Sequence, residues 1–152
     1  MCYYEKTLLV SYTTLESVVE ELEGLVMAKA LASFSSRDSC ERQAEKILSL
    51  IEKKSKLIEL KQKLDEVFVL MSSESLELIS YKYFKTESER PDFDHTSRKY
   101  FRKQIKALKE FSQKLLKAGM TEEWFKNKFL DISFLNSIYS RMKKNESKEH
   151  AA

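Results

Sequence analysis

The chain has 152 residues, of which 42% are apolar and 34% are charged, and this supply of apolar side chains is enough for a buried core. Two glycines and one proline disfavour sheet folds and glycine-dependent active-site loops, and no apolar run approaches the ~18 residues of a membrane span. The formal net charge of +3 combines −5 in residues 1–94 with +8 in residues 95–152, which predicts a polyanionic partner for the C-terminal part.

The N-terminal part of the chain predicts a helical hairpin, residues 13–72, preceded by an irregular lead-in over residues 1–12 that lacks a signal-peptide pattern. Thr13 can begin the first helix in a capping box with Glu16, because the hydroxyl caps the first turn and the carboxylate reaches back to the backbone. Apolar residues then recur at helical spacing until a serine-rich turn. A second, long helix is predicted from about residue 38 to residue 71.

An apolar stripe follows this second helix. Leucine or methionine recurs every seven residues along it, at Leu50, Leu57, Leu64 and Met71. Three isoleucines widen the stripe: Ile47, Ile51 and Ile58. Such a stripe packs on the first helix of the same chain or forms a coiled coil between two chains. Both arrangements stay open at this point, and residues 38–71 are a candidate for a homodimer contact.

The C-terminal part, residues 73–142, predicts a small helical domain. Ser72 or Ser73 caps its first helix, whose apolar residues continue as far as Phe84. A polar loop that contains the only proline of the chain follows over residues 85–94. We expect helices to resume directly after this loop.

A basic helix is predicted next, from a cap at Thr96 to Ala118, with Gly119 ending it and Thr121 capping the short helix that follows. On a helical wheel, five apolar side chains share one arc: Phe101, Ile105, Leu108, Phe111 and Leu115. Eight cations occupy the nearly opposite arc: Arg98, Lys99, Arg102, Lys103, Lys106, Lys109, Lys114 and Lys117. One face can therefore dock on a core while the other binds phosphate oxygens, although a solvated helix face shows the same pattern.

The end of the chain predicts two helices and a tail. The short helix contains Trp124 and Phe125, and the final one begins at Asp131 or Ser133. The two aromatic residues are predicted to close a small core, with a partner-binding anchor as the alternative. Residues 143–152 are charged and are expected to form a disordered tail.

Two stretches, residues 76–84 and residues 96–111, carry a further pattern. Its features are, in chain order, Lys82-Tyr83-Phe84, the cap Thr96, the pair Phe101-Arg102 and the run Lys106-Ala107-Leu108. This pattern resembles region 4 of sigma-70-type factors, and it is more similar still to the small sigma-like regulators of phages and Firmicutes. The first helix of the family's helix-turn-helix would fall on residues 86–93, where Pro91 would shorten it.

The resemblance implies double-stranded DNA and RNA polymerase as partners, with a recognition helix that carries Ser97, Arg98, Lys99, Arg102 and Lys103. The basic face adds Lys106 and Lys109 as phosphate contacts. Arg98 and Arg102 are the candidates for base reading, because an arginine can donate two hydrogen bonds to one guanine. The fold expected is all-α: a long helical hairpin followed by a small helical domain with a helix-turn-helix-like unit.

Motifs for catalysis and for metal binding are missing from the sequence. The two histidines, His95 and His150, lie far apart along the chain, and Cys2 and Cys40 lack metal-type spacing and are expected to be reduced thiols. We therefore expect no enzyme activity, no cofactor and no metal, in a cytoplasmic DNA-binding transcription regulator. The alternative is a non-catalytic helical protein–protein interaction module without nucleic-acid binding. A helix that lies on a membrane surface is a further alternative, although no membrane partner is expected.

Overall fold

A computed structural model of the chain describes residues 2–32, 39–85 and 98–151. Its helices are, in order, α1 (Tyr3–Tyr12), α2 (Leu15–Ala32), α3 (Cys40–Val69), α4 (Ser73–Ile79), α5 (Arg98–Lys117), α6 (Glu122–Phe129) and α7 (Ser133–Ala151). A π-helical turn, Ser80–Phe84, continues α4. Within these described ranges no strand occurs, which confirms the predicted all-α class. None of the described helices is both long enough and apolar enough to cross a membrane.

The chain divides into two compact units. The hairpin unit is Thr14–Gln62, and the core unit is Met1–Thr13 together with Lys63–Ala152. The contacts therefore group α1 and the end of α3 with the C-terminal helices, whereas the predicted domains, 13–72 and 73–142, are divided at residue 72. The predicted helix-turn-helix unit stays a prediction, because its first helix falls on residues outside the described ranges.

The prediction of an irregular lead-in is wrong, because residues 3–12 form α1. Its apolar side chains Leu8 and Leu9 are completely buried, but so are polar residues that hide the helical pattern in the sequence. Thr7 donates its hydroxyl to the backbone oxygen of Tyr3 at 2.7 Å, and Ser11 donates to that of Leu8 at 3.2 Å. These local hydrogen bonds allow hydroxyl groups to occupy a buried helix face.

The predicted disordered tail is also corrected, because α7 continues to Ala151. The backbone of residues 143–151 is therefore helical, and Ser147 donates its hydroxyl to the oxygen of Lys143, one turn earlier, at 3.1 Å. Lysine and glutamate, which prevail in this segment, are good helix formers, so a highly charged segment can extend a helix.

Two of the predicted helix caps are confirmed, whereas the predicted cap Thr13 is wrong, because Thr13 is the C-cap of α1 with helical φ and ψ and α2 begins only at Leu15. Ser72 caps α4 by accepting the backbone N–H of Ser75 at 3.3 Å. Thr121 caps α6 by accepting the N–H of Trp124 at 3.2 Å. These hydroxyls occupy the position at which an oxygen satisfies an otherwise unpaired first-turn N–H group. The predicted cap Thr96 lies outside the described residues.

The largest completely buried side chains of the core unit are aromatic. Phe68 stacks on Phe111 with ring centroids 5.7 Å apart, and Phe125 stacks on Phe129 at 6.1 Å. Phe111, Phe125 and Phe129 are completely buried, so each withdraws a large apolar area from water. The predicted core role is thus confirmed for Phe125.

The leucine stripe of α3 is largely buried within the chain itself. Its members Leu57 and Leu64 are completely buried and Met71 is nearly so, and the neighbouring Leu60 and Val67 are completely buried as well. This part of the predicted stripe therefore packs inside the molecule and is not available to a second chain. The predicted homodimer contact through residues 38–71 stays a prediction, and it would need a different face of the helix.

Candidate nucleic-acid interface

Helix α5 ends in a well-defined motif that fixes its C-terminus. Gly119 has a φ of +77°, in the left-handed region that glycine adopts without steric cost. The N–H of Gly119 donates to the oxygen of Leu116 at 3.1 Å, and that of Met120 donates to the oxygen of Leu115 at 2.9 Å. These two bonds form a Schellman motif, which satisfies carbonyl groups that the helix leaves unpaired. The predicted role of Gly119 is confirmed.

The buried face of α5 differs from the predicted one. Its buried side chains are Tyr100, Gln104, Ala107, Phe111 and Leu115. Phe101 and Ile105, which were predicted to be buried, are each 55% exposed. The predicted docking face is thus wrong by a rotation of about 60° around the helix axis.

This rotation has a physical cause that the helical wheel does not include. A wheel weights large apolar residues, whereas contact between helices also needs small residues that allow close approach. Ala107 is such a residue, and Tyr100 and Gln104 lie on the same side as Ala107. The side-chain nitrogen and oxygen of Gln104 are buried without a hydrogen-bond partner among the described residues.

The predicted DNA-binding side chains lie on the solvent side of α5. Those in the described range are all exposed: Arg98, Lys99, Arg102, Lys103, Lys106 and Lys109. Ser97 lies outside the described residues. Four of the six follow one another along the helix surface and form what we call the cation row: Arg98, Arg102, Lys106 and Lys109. With about 100° per residue, this row lies nearly opposite the centre of the buried face.

Two acidic side chains, Glu74 and Glu110, are placed differently with respect to the cations of α5. Glu74, on α4, pairs with Lys103, whose Nζ lies 3.0 Å from the Glu74 Oε1. The hydrogen bond and charge of Lys103, aided by Lys106 and Lys99, lower the pKa of Glu74. Lys103 is therefore partly neutralised within the chain, which the sequence alone did not indicate.

Glu110, the single acid of α5, binds the start of α4. Its carboxylate accepts the backbone N–H of Ser72 at 2.7 Å and the hydroxyl of Ser72 at 3.0 Å, and it also accepts the hydroxyl of Ser75. The hydrogen bond from Ser75, followed by those from Ser72, lowers the pKa of Glu110. Since this carboxylate serves as a second cap for α4, it does not neutralise the cation row.

The contact of Ser72 with Glu110 and a second contact define how α4 and its π-helical turn lie on α5. Ser72, at the start of α4, meets Glu110 in the second half of α5. Tyr81, in the π-helical turn, meets Tyr100 in the first turn of α5, with ring centroids 6.0 Å apart. The two segments therefore run antiparallel, and α4 covers the buried face of α5 while the cation row remains open to solvent.

An apolar edge accompanies the cation row. Phe101, Ile105 and Leu116 are all more than half exposed. Phe101 and Ile105 lie between the buried face and the cations, and Leu116 lies in line with Arg98, about five turns further along the helix. Sequence reasoning assigned two of these residues to the core, so it missed this edge. The sequence did contain an indication of this edge: the apolar residues of α5 cover a wider arc of the helix than a single buried stripe needs.

The chemistry available at this surface is recognition of anions. Arginine and lysine donate charge-assisted hydrogen bonds to phosphate or carboxylate oxygens. In the part of the chain that the structure describes, no group of three or more histidine, cysteine, aspartate or glutamate side chains could hold a metal ion. No protein-family model, curated protein or solved structure matches the chain.

Proposed function

We propose that this protein is a non-catalytic, sigma-like transcriptional regulator that binds double-stranded DNA through α5. The cation row carries the proposal, because four exposed positive side chains follow one another and no acidic residue interrupts residues 98–109. A helix about 10–12 Å across fits the major groove, which is about 12 Å wide. The resemblance to sigma region 4 supports the same helix as the recognition element.

The four members of the row have two roles in this proposal. Lys106 and Lys109, together with Lys99, bind phosphate oxygens, which anchors the helix without reading the sequence. Arg98 and Arg102 lie in the first turns of α5, the part of a recognition helix that approaches the base edges. Each can donate two hydrogen bonds to a guanine. RNA polymerase is proposed as a second partner on the resemblance alone.

Lys103 has a smaller role than its neighbours. Its ammonium group is already paired with Glu74 at 3.0 Å, so contact with a phosphate would require it to leave or share that carboxylate. Glu74 would also repel a phosphate placed beside it. We therefore propose that Lys103 contributes less to DNA affinity than Arg102 does.

Fluorescence anisotropy with a random-sequence duplex, from about 50 to 200 mM salt, tests this function. The wild-type protein should bind with an affinity that falls steeply with salt. Arg98→Glu with Arg102→Glu should lower the affinity more than ~10-fold and reduce the slope of log K against log salt by about two. Lys103→Gln should reduce the slope by less than about one.

The matched control is Lys143→Glu with Lys144→Glu, two exposed cations of α7 that give the same change in net charge. If both double variants lose affinity equally, the interaction is with overall charge and not with α5. Absence of binding at the lowest salt would contradict the DNA-binding proposal altogether.

A second candidate function, binding to an anionic membrane surface, is favoured by one observation. Phe101 and Ile105 expose apolar area directly beside Arg98 and Arg102, and interfacial helices combine such residues. Phe101→Ala with Ile105→Ala separates the two candidates. The DNA proposal expects little change in duplex affinity, whereas the membrane candidate expects loss of co-sedimentation with vesicles that contain anionic lipid.

A further inference from the structure

The hairpin unit carries apolar side chains that the chain does not cover. Met27 of α2 and Leu48, Ile51 and Ile58 of α3 are between 37% and 65% exposed. In the described part of this unit, only Leu15, Leu57 and Leu60 are buried. We call the first four residues the outer face.

An ion pair within the hairpin unit places three of the four residues of the outer face beside one another. Glu23 of α2 pairs with Lys54 of α3, with Oε1 and Nζ 2.9 Å apart. Met27 lies one turn after Glu23, while Ile51 and Ile58 lie three residues before and four residues after Lys54. Residues three or four apart are neighbours on a helix surface, so all three apolar side chains adjoin the same ion pair.

The spacing along α3 is that of a coiled-coil seam. The seam consists of Ala44, Leu48, Ile51, Ser55 and Ile58, which alternate steps of four and three residues. All five are exposed, and the seam shares Ile51 and Ile58 with the predicted stripe but contains none of its buried leucines. A hydrophobic repeat with these steps keeps one face of a helix toward a partner helix.

Charges beside the seam have opposite signs on its two edges. Glu45, Glu52 and Glu59 follow the seam on one edge, at the heptad e positions, and Lys54 and Lys61 follow it on the other, at the g positions. In a parallel pair of such helices, a g residue meets the e residue five positions later in the other copy, so Lys54 meets Glu59 and Lys61 meets Glu66. In an antiparallel pair, lysine would face lysine and glutamate would face glutamate.

We propose that the outer face is the interface with a second copy of this chain, with the two α3 helices parallel. The charge pattern specifies both the occupant and its orientation, because the edges complement themselves only in a parallel arrangement. Lys54 and Lys61 keep their pairs with Glu23 and Glu16 and lie between two carboxylates in the dimer. This proposal is independent of DNA binding.

The size of the seam predicts a dimer of modest affinity. From residue 44 to residue 58 the seam is about 21 Å long, and a helix is about 10 Å wide. The seam alone is thus smaller than the ~800 Å² per partner of a standard interface, so the adjoining Met27 must contribute. We therefore expect dimerisation to depend on concentration in the micromolar range.

Sedimentation equilibrium of the full-length protein, from about 1 to 200 μM, tests the interface. The wild type should pass from monomer to dimer, and Leu48→Gln with Ile51→Gln should raise the dissociation constant at least ~10-fold. The control, Leu25→Gln with Leu70→Gln, changes two exposed leucines outside the outer face and should leave dimerisation unchanged. Helical circular dichroism should be retained in both, since glutamine is a good helix former.

A wild type that stays monomeric over the whole range would overturn the proposal and leave the outer face to another protein. An equal loss in both double variants would also overturn it.

The orientation is tested with Ala44→Cys after the exposed Cys2 and Cys40 are changed to serine. A parallel dimer brings the two new thiols together and should oxidise to a covalent dimer. A dimer that persists without this cross-link would contradict the parallel arrangement.

Discussion

The core unit and the hairpin unit use apolar residues in opposite ways. In the core unit, Phe111, Phe125 and Phe129 are each completely enclosed. In the described part of the hairpin unit, most apolar side chains stay half-buried or exposed, because two helices alone cannot surround a side chain from every direction. The core unit therefore encloses most of its apolar residues and exposes a few, such as Phe101 and Ile105, whereas the hairpin unit encloses few of its own.

Truncation of a core aromatic residue should have the largest effect on stability. Phe111→Ala removes a completely buried ring that stacks on Phe68, and we expect it to lower the free energy of unfolding by about 3–5 kcal/mol. Phe101→Ala, ten residues earlier on the same helix, should cost less than about 1 kcal/mol because that ring is mostly exposed. Urea unfolding followed by circular dichroism measures both values. If the two variants lower the free energy of unfolding by similar amounts, Phe101 is buried as the sequence predicted.

An intermediate effect is expected where Glu110 caps α4. Glu110→Gln removes the charge that accepts three hydrogen bonds from Ser72 and Ser75, at a cost of about 1 kcal/mol once solvent screening of this exposed group is included. Because these bonds lower the folded-state pKa of Glu110, its stabilisation is complete above the unfolded-state pKa and is lost as the pH falls through the folded-state value.

The difference in unfolding free energy between wild type and Glu110→Gln should therefore have its maximum value at pH 7 and should decrease below about pH 4. Urea unfolding at both pH values measures it. Ser73→Ala is the control, because the hydroxyl of Ser73 takes no part in the contacts with Glu110 and its loss should not alter the acid dependence. A difference that does not change with pH would show that the carboxylate charge is not what stabilises α4.

Helix ends could be predicted from the sequence because they depend on local chemistry. Ser72 and Thr121 cap the helices that follow them, and Gly119 ends α5 through the conformation that glycine favours. The cation row was predictable for the same reason, since charged side chains stay in water unless they are paired. Local rules therefore identified most elements and the six described candidate DNA contacts.

What the sequence could not reveal depends on which segment packs against which. α1 was missed because its buried Glu5 accepts a hydrogen bond from Ser112, 107 residues away, at 2.9 Å. The exposure of Phe101 was missed because α4 covers a different side of α5. The pairing of Lys103 with Glu74 joins two helices that are distant along the chain. Each of these features is set by tertiary contacts that periodicity does not encode.

The smallest expected effect tests whether the stability of the hairpin unit depends on helix propensity more than on packing. Gly24 lies inside α2, and a Cβ added there would meet nothing within 4 Å. Gly24→Ala should therefore stabilise α2 by about 0.8 kcal/mol through helix propensity alone, which slows hydrogen exchange of its amides about fourfold. Ala28→Gly, one turn later on the same exposed helix, should speed exchange by a similar factor. If the two changes alter hydrogen exchange in α5 as much as in α2, the two units unfold together. Their difference in apolar burial would then not produce a difference in local stability. If only α2 responds, the hairpin opens on its own, as a segment with so few enclosed side chains should.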